Sequence, residues 1–467
     1  MTHQKGLTGM DFDVVIIGGG SGGYAAARTA QALGAKVGII DKGPLGGLCI
    51  LRGCMPTKTI LRSSDVMSLM KRAKEFGLRT SKPTAKMDEI YNRKKSLIKD
   101  FADYRIEQLN NPRFKLIRGK AQFLDKNTIK VGKKTITSRS FVIGTGSVVA
   151  HFDIPGLDEV GYITSDEALE LKTLPKSMIV LGGGAVATEF AQFFCRVGCK
   201  TTLIQRSNHI FSSSDEDLAR PVEDRFREEG MKVFTGTQLI KFTQQNGKKV
   251  AHFKHEGKVR KVTADIILQA LGRKPAIETL GLENAGVQTE RGNIVVDKKM
   301  QTSTPSIYAV GDCNGIYEVV HIAIQQGEIA GHNAVKGTQK QEIDYRLKSE
   351  VVFTDPQYAS VGLTEKESKA ANIPYKVASY PFNDHGKSLV MGETHGFVKI
   401  LCNPKSGEII GAQIVGPEAG ELIHELIAVM YFRGTVQDLA RIPHYHPTLS
   451  EIITYPAEDL AEEIAQG

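Results

Sequence analysis

Four residues separate Cys49 from Cys54 in the stretch Gly46-Gly47-Leu48-Cys49-Ile50-Leu51-Arg52-Gly53-Cys54-Met55-Pro56-Thr57-Lys58. A close thiol pair can carry two electrons, with the thiolate as its reactive form and a mixed disulfide on the exchange path. Upstream lies Gly18-Gly19-Gly20-Ser21-Gly22-Gly23, a glycine run of the kind that cradles a dinucleotide pyrophosphate. Thiols beside a bound nucleotide have what is needed to pass electrons between that cofactor and a disulfide. The competing reading of the pair is half of a zinc site. Zinc requires two further ligands, for which His444 and His446 are available.

Local patterns supply the elements that hold these groups. Asp13–Ile17 is an apolar run that predicts a buried strand, followed by the glycines, an Ala-rich helix from Tyr24 to Leu33 and a second strand, Lys36–Ile40, ending in Asp41. An acid about 20 residues past the glycines completes the dinucleotide fingerprint. Gly18 allows the tight turn, Gly20 lets backbone approach the pyrophosphate, Gly23 lets helix and strand pack closely, and Asp41 is placed to accept from a ribose hydroxyl. The pattern recurs, with a strand at Met178–Leu181, the loop Gly182-Gly183-Gly184-Ala185-Val186-Ala187, a helix at Thr188–Val197 and a strand at Lys200–Ile204 that ends in Gln205-Arg206. One such motif is a weak signal, whereas two in full strand–loop–helix–strand context predict two nucleotide sites. Ser140–Ser147 predicts a strand leaving the first domain, and Ser306–Asp312 a buried strand by which the chain returns to it. From about Lys348 the composition shifts to alternating strands and a helical C-terminus, a third domain.

The bulk numbers narrow the class. A chain of 467 residues is long enough for two or three domains. Its net charge of +8 comes from 60 basic and 52 acidic residues spread along the chain, which fits anionic dinucleotides and is no argument for nucleic-acid binding. No apolar stretch is long enough to span a bilayer, and the polar leader Met1–Asp11 lacks the core of a secretory signal. The expectation is a cytoplasmic protein with no membrane partner, in which a close cysteine pair is catalytic or metal-binding. Cys195 and Cys199, one helical turn apart, read as core residues, and Cys313 and Cys402 have no partner pattern. His424-Glu425 lacks the second histidine of a zinc-protease helix, and Asp215, Glu216 and Asp217 read as a solvated helix start.

The order of these motifs, closed by His444-Tyr445-His446-Pro447-Thr448-Leu449-Ser450-Glu451, resembles the flavoprotein disulfide reductases over nearly the whole chain. That group holds dihydrolipoamide dehydrogenase, glutathione reductase and mercuric reductase. The resemblance implies an α/β fold of two nested Rossmann-like domains plus a C-terminal α+β dimerisation domain. FAD would be bound by residues 1–150 and 277–347, NAD(P) by residues 151–276, and the interface domain would cover 348–467. It further implies a homodimer in which each active site uses a histidine from the other subunit.

Residue roles carry over by the same resemblance. Cys54 is implied to be the thiolate beside the flavin and Cys49 the interchange thiol that meets the substrate. His446 of the second subunit is implied to be the acid–base group, fixed by Glu451, with His444 structural. Lys58 and Glu189 are implied to pair beside the hydride-accepting flavin nitrogen. The FAD set is Gly18, Gly20, Gly23, Asp41, Lys42, Gly47, Gly146, Asp312 at the ribityl chain, His321 and Ala323. The pyridine-nucleotide set is Gly182, Gly184, Ala187, Gln205, Arg206 and Gly272. No metal is expected.

The chain departs from the family pattern at several points. Leu48 stands where Thr is usual, and Ile50-Leu51-Arg52 replaces the common stretch between the cysteines. Gln205 takes the place of the Glu of NAD-specific members, and Arg206 can pair with a 2′-phosphate, so NAD(H) and NADP(H) stand at even odds. Ser212 replaces a second arginine of glutathione reductase. Arg28, where glutathione reductases carry a glutathione-binding arginine, reads as an ordinary exposed helix residue. The final residues, Glu462 to Gly467, lack the extra cysteine pair of mercuric reductases, which weighs against mercury reduction. The expected activity is that of dihydrolipoamide dehydrogenase, acting on a dithiol or disulfide, with a lipoyl-carrying protein among the candidate partners. The alternatives are an NADPH-dependent reductase of the glutathione or mercuric type and a non-catalytic flavoprotein subunit.

Overall fold

The computed structural model describes residues 9–466; residues 1–8 of the polar leader, and Gly467, lie outside it. The chain forms two compact units, each assembled from separated stretches: residues 1–56, 93–150 and 273–344 make the first, and residues 57–92, 151–272 and 345–467 the second. The architecture is mixed α/β.

In the first unit the strand Phe12–Ile17 lies between Val37–Asp41 and Lys134–Ile143, both parallel to it. Val14, Val15, Ile16, Ile39 and Ile40 are almost fully buried, the near-continuous apolar run of a parallel strand covered on both faces. Phe114–Arg118 pairs beyond Val37–Asp41, and the late strand Ile307–Ala309 pairs parallel to Lys134–Ile143. The N-terminal half of that long strand turns to an antiparallel ladder with Thr128–Val131, whose outer neighbour is Ala121–Asp125. The helices Ser21–Ala32 and Val320–Lys336 meet through small residues. A Cβ on Gly327 would lie 2.2 Å from the Gly22 carbonyl oxygen, so the close crossing requires glycine.

In the second unit Ser177–Leu181, Lys200–Ile204, Lys232–Phe234 and Ile266–Gln269 form a parallel sheet with the helix Ala185–Val197 beside it. Gln238–Gln245, Lys248–His255 and Lys258–Ala264 make an antiparallel ribbon. The C-terminal part is a five-stranded antiparallel sheet whose core side chains pack against the helices Ala419–Tyr431 and Thr454–Gln466.

Two buried charge clusters tie this unit together. Arg196, with its side chain 2% exposed, reaches Asp65, Glu229 and Asp355. Lys399 on the strand Phe397–Cys402 contacts Asp215, Asp217 and Glu365 at 2.9 to 3.2 Å. Burial pulls the Lys399 ammonium down, but its hydrogen bonds to Asp217 and Asp215 prevail and raise it. The expected solvated helix start is therefore corrected at Asp215, which is buried and anchors this cluster. A sequence window of acids shows no lysine, because the cation arrives from a strand far along the chain.

Among the described residues no helix is long and apolar enough to cross a membrane.

Candidate active site

The first glycine loop links the end of Phe12–Ile17 to the helix Ser21–Ala32. Gly18 has φ +108°, and a Cβ there would sit 2.3 Å from the Gly144 carbonyl oxygen. Gly23 is tighter still, since its Cβ would lie 1.9 Å from the Gly18 carbonyl oxygen. A Cβ on Gly20, by contrast, would meet nothing within 4 Å, so the loop presents bare backbone to open space. That space is a cavity of about 300 Å³ lined by Gly18 to Gly22, Asp41 to Pro44 and Gly144 to Val148, and also by Asp312 and Ala323.

Asp41 accepts the Gly19 N–H at 2.8 Å and the Gly43 N–H at 2.6 Å, which fixes its carboxylate at the rim. Asp312 accepts from the Ser147 hydroxyl at 2.6 Å, and Ser147 in turn accepts from Arg273 Nε at 2.8 Å. Free backbone N–H groups at a helix start, a fixed carboxylate for a hydroxyl and an apolar wall are the donor set a dinucleotide requires, and these residues fit FAD. Lys42, Gly47 and Gly146 also line the cavity.

Both cysteines line the same cavity. Cys49 lies in the short helix Gly47–Leu51, and Cys54 is the first residue of the helix Cys54–Arg72. Burial pushes the other thiols up, Cys195 and Cys402 to about 11 and Cys199 and Cys313 to about 12, so they remain protonated near neutral pH.

The second glycine loop repeats the first. Gly182 has φ +120° with a Cβ position 2.4 Å from the Ala270 carbonyl oxygen, while Gly184 faces open space at the start of Ala185–Val197. Ala187 is fully buried beneath the turn. Gln205 accepts the Arg206 N–H through Oε1 at 3.1 Å, leaving the Arg206 side chain exposed. Gly272 holds φ +145° after the strand Ile266–Gln269. This loop, with an exposed guanidinium at the end of the next strand, fits a pyridine nucleotide.

Lys58 Nζ bonds both oxygens of Glu189, at 2.9 and 2.8 Å. The Glu189 side chain is 3% exposed and also accepts the Phe353 N–H at 2.9 Å, while the Lys58 ammonium lies 4.7 Å over the Phe353 ring. His446 Nδ1 faces Glu451 Oε1 at 2.9 Å, and the other Glu451 oxygen accepts the Thr448 N–H at 2.9 Å. The Thr448 N–H, and after it His446, hold the Glu451 carboxyl below its usual range. The His446 side chain is 80% exposed. His444 has both ring nitrogens engaged, by Ile442 O and Glu425 Oε1.

His321 lies on the helix Val320–Lys336. His321 is exposed and is not among the residues lining the cavity, where Val320 and Ala323 stand instead. On a helix the side chain between two inward positions points away. Sequence reasoning missed Ser147 and Arg273, although Ser147 ends the strand-like run Ser140–Ser147. It also missed Glu318, a cavity carboxyl raised by burial and then by Asp312.

Comparison with known proteins gives a consistent result. The sequence matches the family described as pyridine nucleotide-disulphide oxidoreductase over residues 12–327, and that family's dimerisation domain over residues 349–457. The chain is 37% identical over 432 residues to a mercuric reductase of Staphylococcus aureus, covering 92% of this chain and 79% of the relative. It is 35% identical over 457 residues to a dihydrolipoyl dehydrogenase of Thermus scotoductus, covering 97% and 98%. Among solved structures it is similar to LpdA from Mycobacterium tuberculosis, with TM-score 0.87 and 28% identity over 96% of this chain and 99% of that one. The HOCl-induced flavoprotein disulfide reductase RclA from Escherichia coli gives TM-score 0.84 and 26% identity over 96% and 99%.

Proposed function

The chain belongs to the pyridine nucleotide-disulphide oxidoreductases, and from that membership we propose that Cys49 and Cys54 are its redox pair and that it acts as a dihydrolipoyl dehydrogenase. It is an FAD- and NAD(P)(H)-dependent oxidoreductase. The single observation that carries the assignment is that both cysteines line the one cavity formed by the first glycine loop, Asp41 and Asp312.

In the forward direction a substrate thiolate attacks Cys49 of the disulfide, forming a mixed disulfide and releasing the Cys54 thiolate. His446 takes the proton from the attacking thiol, and Glu451 holds the ring so that Nε2 is the working nitrogen. The second substrate thiolate then attacks its own chain's sulfur, which frees Cys49 and leaves the substrate as a disulfide. Bound FAD supplies the two-electron relay between the reduced cysteine pair and the pyridine nucleotide. Lys58 and Glu189 form a fixed ion pair whose charge tunes that relay; removing either partner leaves the other uncompensated.

His446 is supplied by a second copy. Its high exposure supports this, as do the exposed apolar side chains Val390, Phe432 and Tyr445 at 73%, 81% and 83%. The reverse reading, an NADPH-driven reductase, is favoured by one observation, the exposed Arg206 after Gln205. Arg206→Glu should move the NADP/NAD preference toward NAD, and an unchanged ratio removes that support.

Anaerobic reduction of the purified protein tests the core assignment. A long-wavelength thiolate-to-flavin band is expected on addition of NAD(P)H or dihydrolipoamide, followed by turnover of dihydrolipoamide with NAD. Turnover only with NADPH and an oxidant, disulfide or Hg(II), would select the reductase. Absence of the band would remove the cysteine assignment.

A further inference from the structure

Glu189, Gln192 and Arg196 are spaced three and four residues apart on the helix Ala185–Val197, so they share one face of it. All three reach the segment Phe353-Thr354-Asp355, in the same unit. Glu189 Oε1 accepts the Phe353 N–H at 2.9 Å. Gln192, 2% exposed, closes a two-bond clamp on Asp355: Oε1 accepts its N–H and Nε2 donates to its carbonyl oxygen, both at 2.8 Å. Arg196 engages the Asp355 carboxylate. Between them the buried Thr354 donates its hydroxyl to Pro356 O at 2.8 Å. The segment is therefore fixed through its backbone two residues from Phe353.

Phe353 touches both members of the Lys58–Glu189 pair. Its N–H goes to the carboxylate, and its ring lies 4.7 Å beneath the ammonium. The ammonium needs such a wall. Glu189 is sealed, but the Lys58 side chain is 32% exposed and ends a flexible four-carbon stem. The carboxylate sets its distance, and the ring limits the directions in which it can swing. Gln192 has no hydrogen bond to either member among the described residues; its bonds go to Asp355 and, at 3.3 and 3.4 Å, to Glu229. Arg196 binds three carboxylates, so its loss would strand several charges. The neutral amide of Gln192 isolates the clamp.

We propose that Gln192 is a positioning residue for the redox reaction: by clamping Asp355 it fixes Phe353, whose N–H and ring in turn hold the Lys58–Glu189 pair. The inference rests on the reading of that pair as the charge that tunes the electron relay. Gln192 takes neither proton nor electron. Its amide is matched to one residue's backbone, one acceptor for the N–H and one donor for the carbonyl, which no apolar side chain of similar length reproduces.

Equilibration of the flavin-loaded protein with a redox dye tests this, because a fixed cation favours the reduced, anionic flavin. Lys58→Met should make the flavin harder to reduce, by about tenfold in the equilibrium constant against the dye. Gln192→Met should shift the constant about threefold or more in the same direction, the effect of losing ordinary hydrogen bonds one step removed. Phe353→Leu keeps the N–H and removes the ring, and should behave like Gln192→Met, whereas Phe353→Tyr should restore the wild-type constant. In a Lys58→Met background Gln192→Met should change nothing further, since the group it positions is gone. An unmoved constant in Gln192→Met, or an equal shift with and without Lys58, overturns the proposal and leaves Gln192 a strut of the fold. If Gln192→Met fails to hold flavin, the Phe353 variants decide: Phe353→Leu equal to wild type breaks the chain of contacts and overturns it. An unmoved constant in Lys58→Met removes the reading of the ion pair itself, and this inference falls with it.

Discussion

His446 illustrates how little of a working residue's chemistry lies in the side chain alone. Any imidazole has two ring nitrogens, but here Glu451 engages Nδ1 and the Thr448 N–H engages Glu451. The result is a ring with one nitrogen committed and one presented to solvent. His446→Gln keeps a polar group and removes the transferable proton, so turnover should fall about 100-fold or more while flavin content is retained. Stopped-flow and steady-state rates near wild type would remove the acid–base role.

The elements act by bringing partners from remote parts of the chain. Lys399 comes from a strand, Asp215 and Asp217 from the start of Glu216–Glu228, and Glu365 from the start of Glu365–Ala370. Lys399→Met would leave these carboxylates facing one another, and the loss should be roughly 3 kcal/mol in a denaturant titration. A midpoint matching wild type would show that water already serves the acids. The same remoteness explains what was legible in advance. The glycine loops, Asp41 and the paired cysteines are local patterns, read directly from spacing. Lys58 with Glu189, and His446 with Glu451, were named through likeness to a family. The Arg273–Ser147–Asp312 chain, the bracing of Lys58 by Phe353 and the burial of Asp215 were not legible, because each depends on a long-range contact that no periodicity encodes. A motif match carries no helical phase, so it could not tell that the His321 side chain is exposed on Val320–Lys336.

Two outcomes concern the whole molecule. Burial pushes Asp65 up to about 6 from an ordinary 3.8, against the pull of Arg196. The folded form thus holds this proton more tightly, and the stability it contributes is present below pH 3.8 and lost as pH climbs through 6. The side chain is 41% exposed, so screening reduces the effect to about 1 kcal/mol. Asp65→Asn should remove that fall, seen as a shrinking gap between the two proteins' unfolding curves toward acid; parallel curves would contradict it. The second outcome follows from sharing a site between copies. Cys49→Ser and His446→Gln proteins, each inactive, should regain about a quarter of wild-type activity when unfolded together and reassembled as mixed dimers. No recovery would place His446 within its own chain's site. Finally, the first unit is woven from stretches at residues 1–56, 93–150 and 273–344. During synthesis its sheet stays incomplete until the last of these has left the ribosome, so the glycine loop emerges long before the segment bearing Asp312 that closes its cavity. Flavin loading is thereby deferred to a nearly finished polypeptide, and nascent chains truncated before residue 307 should emerge colourless.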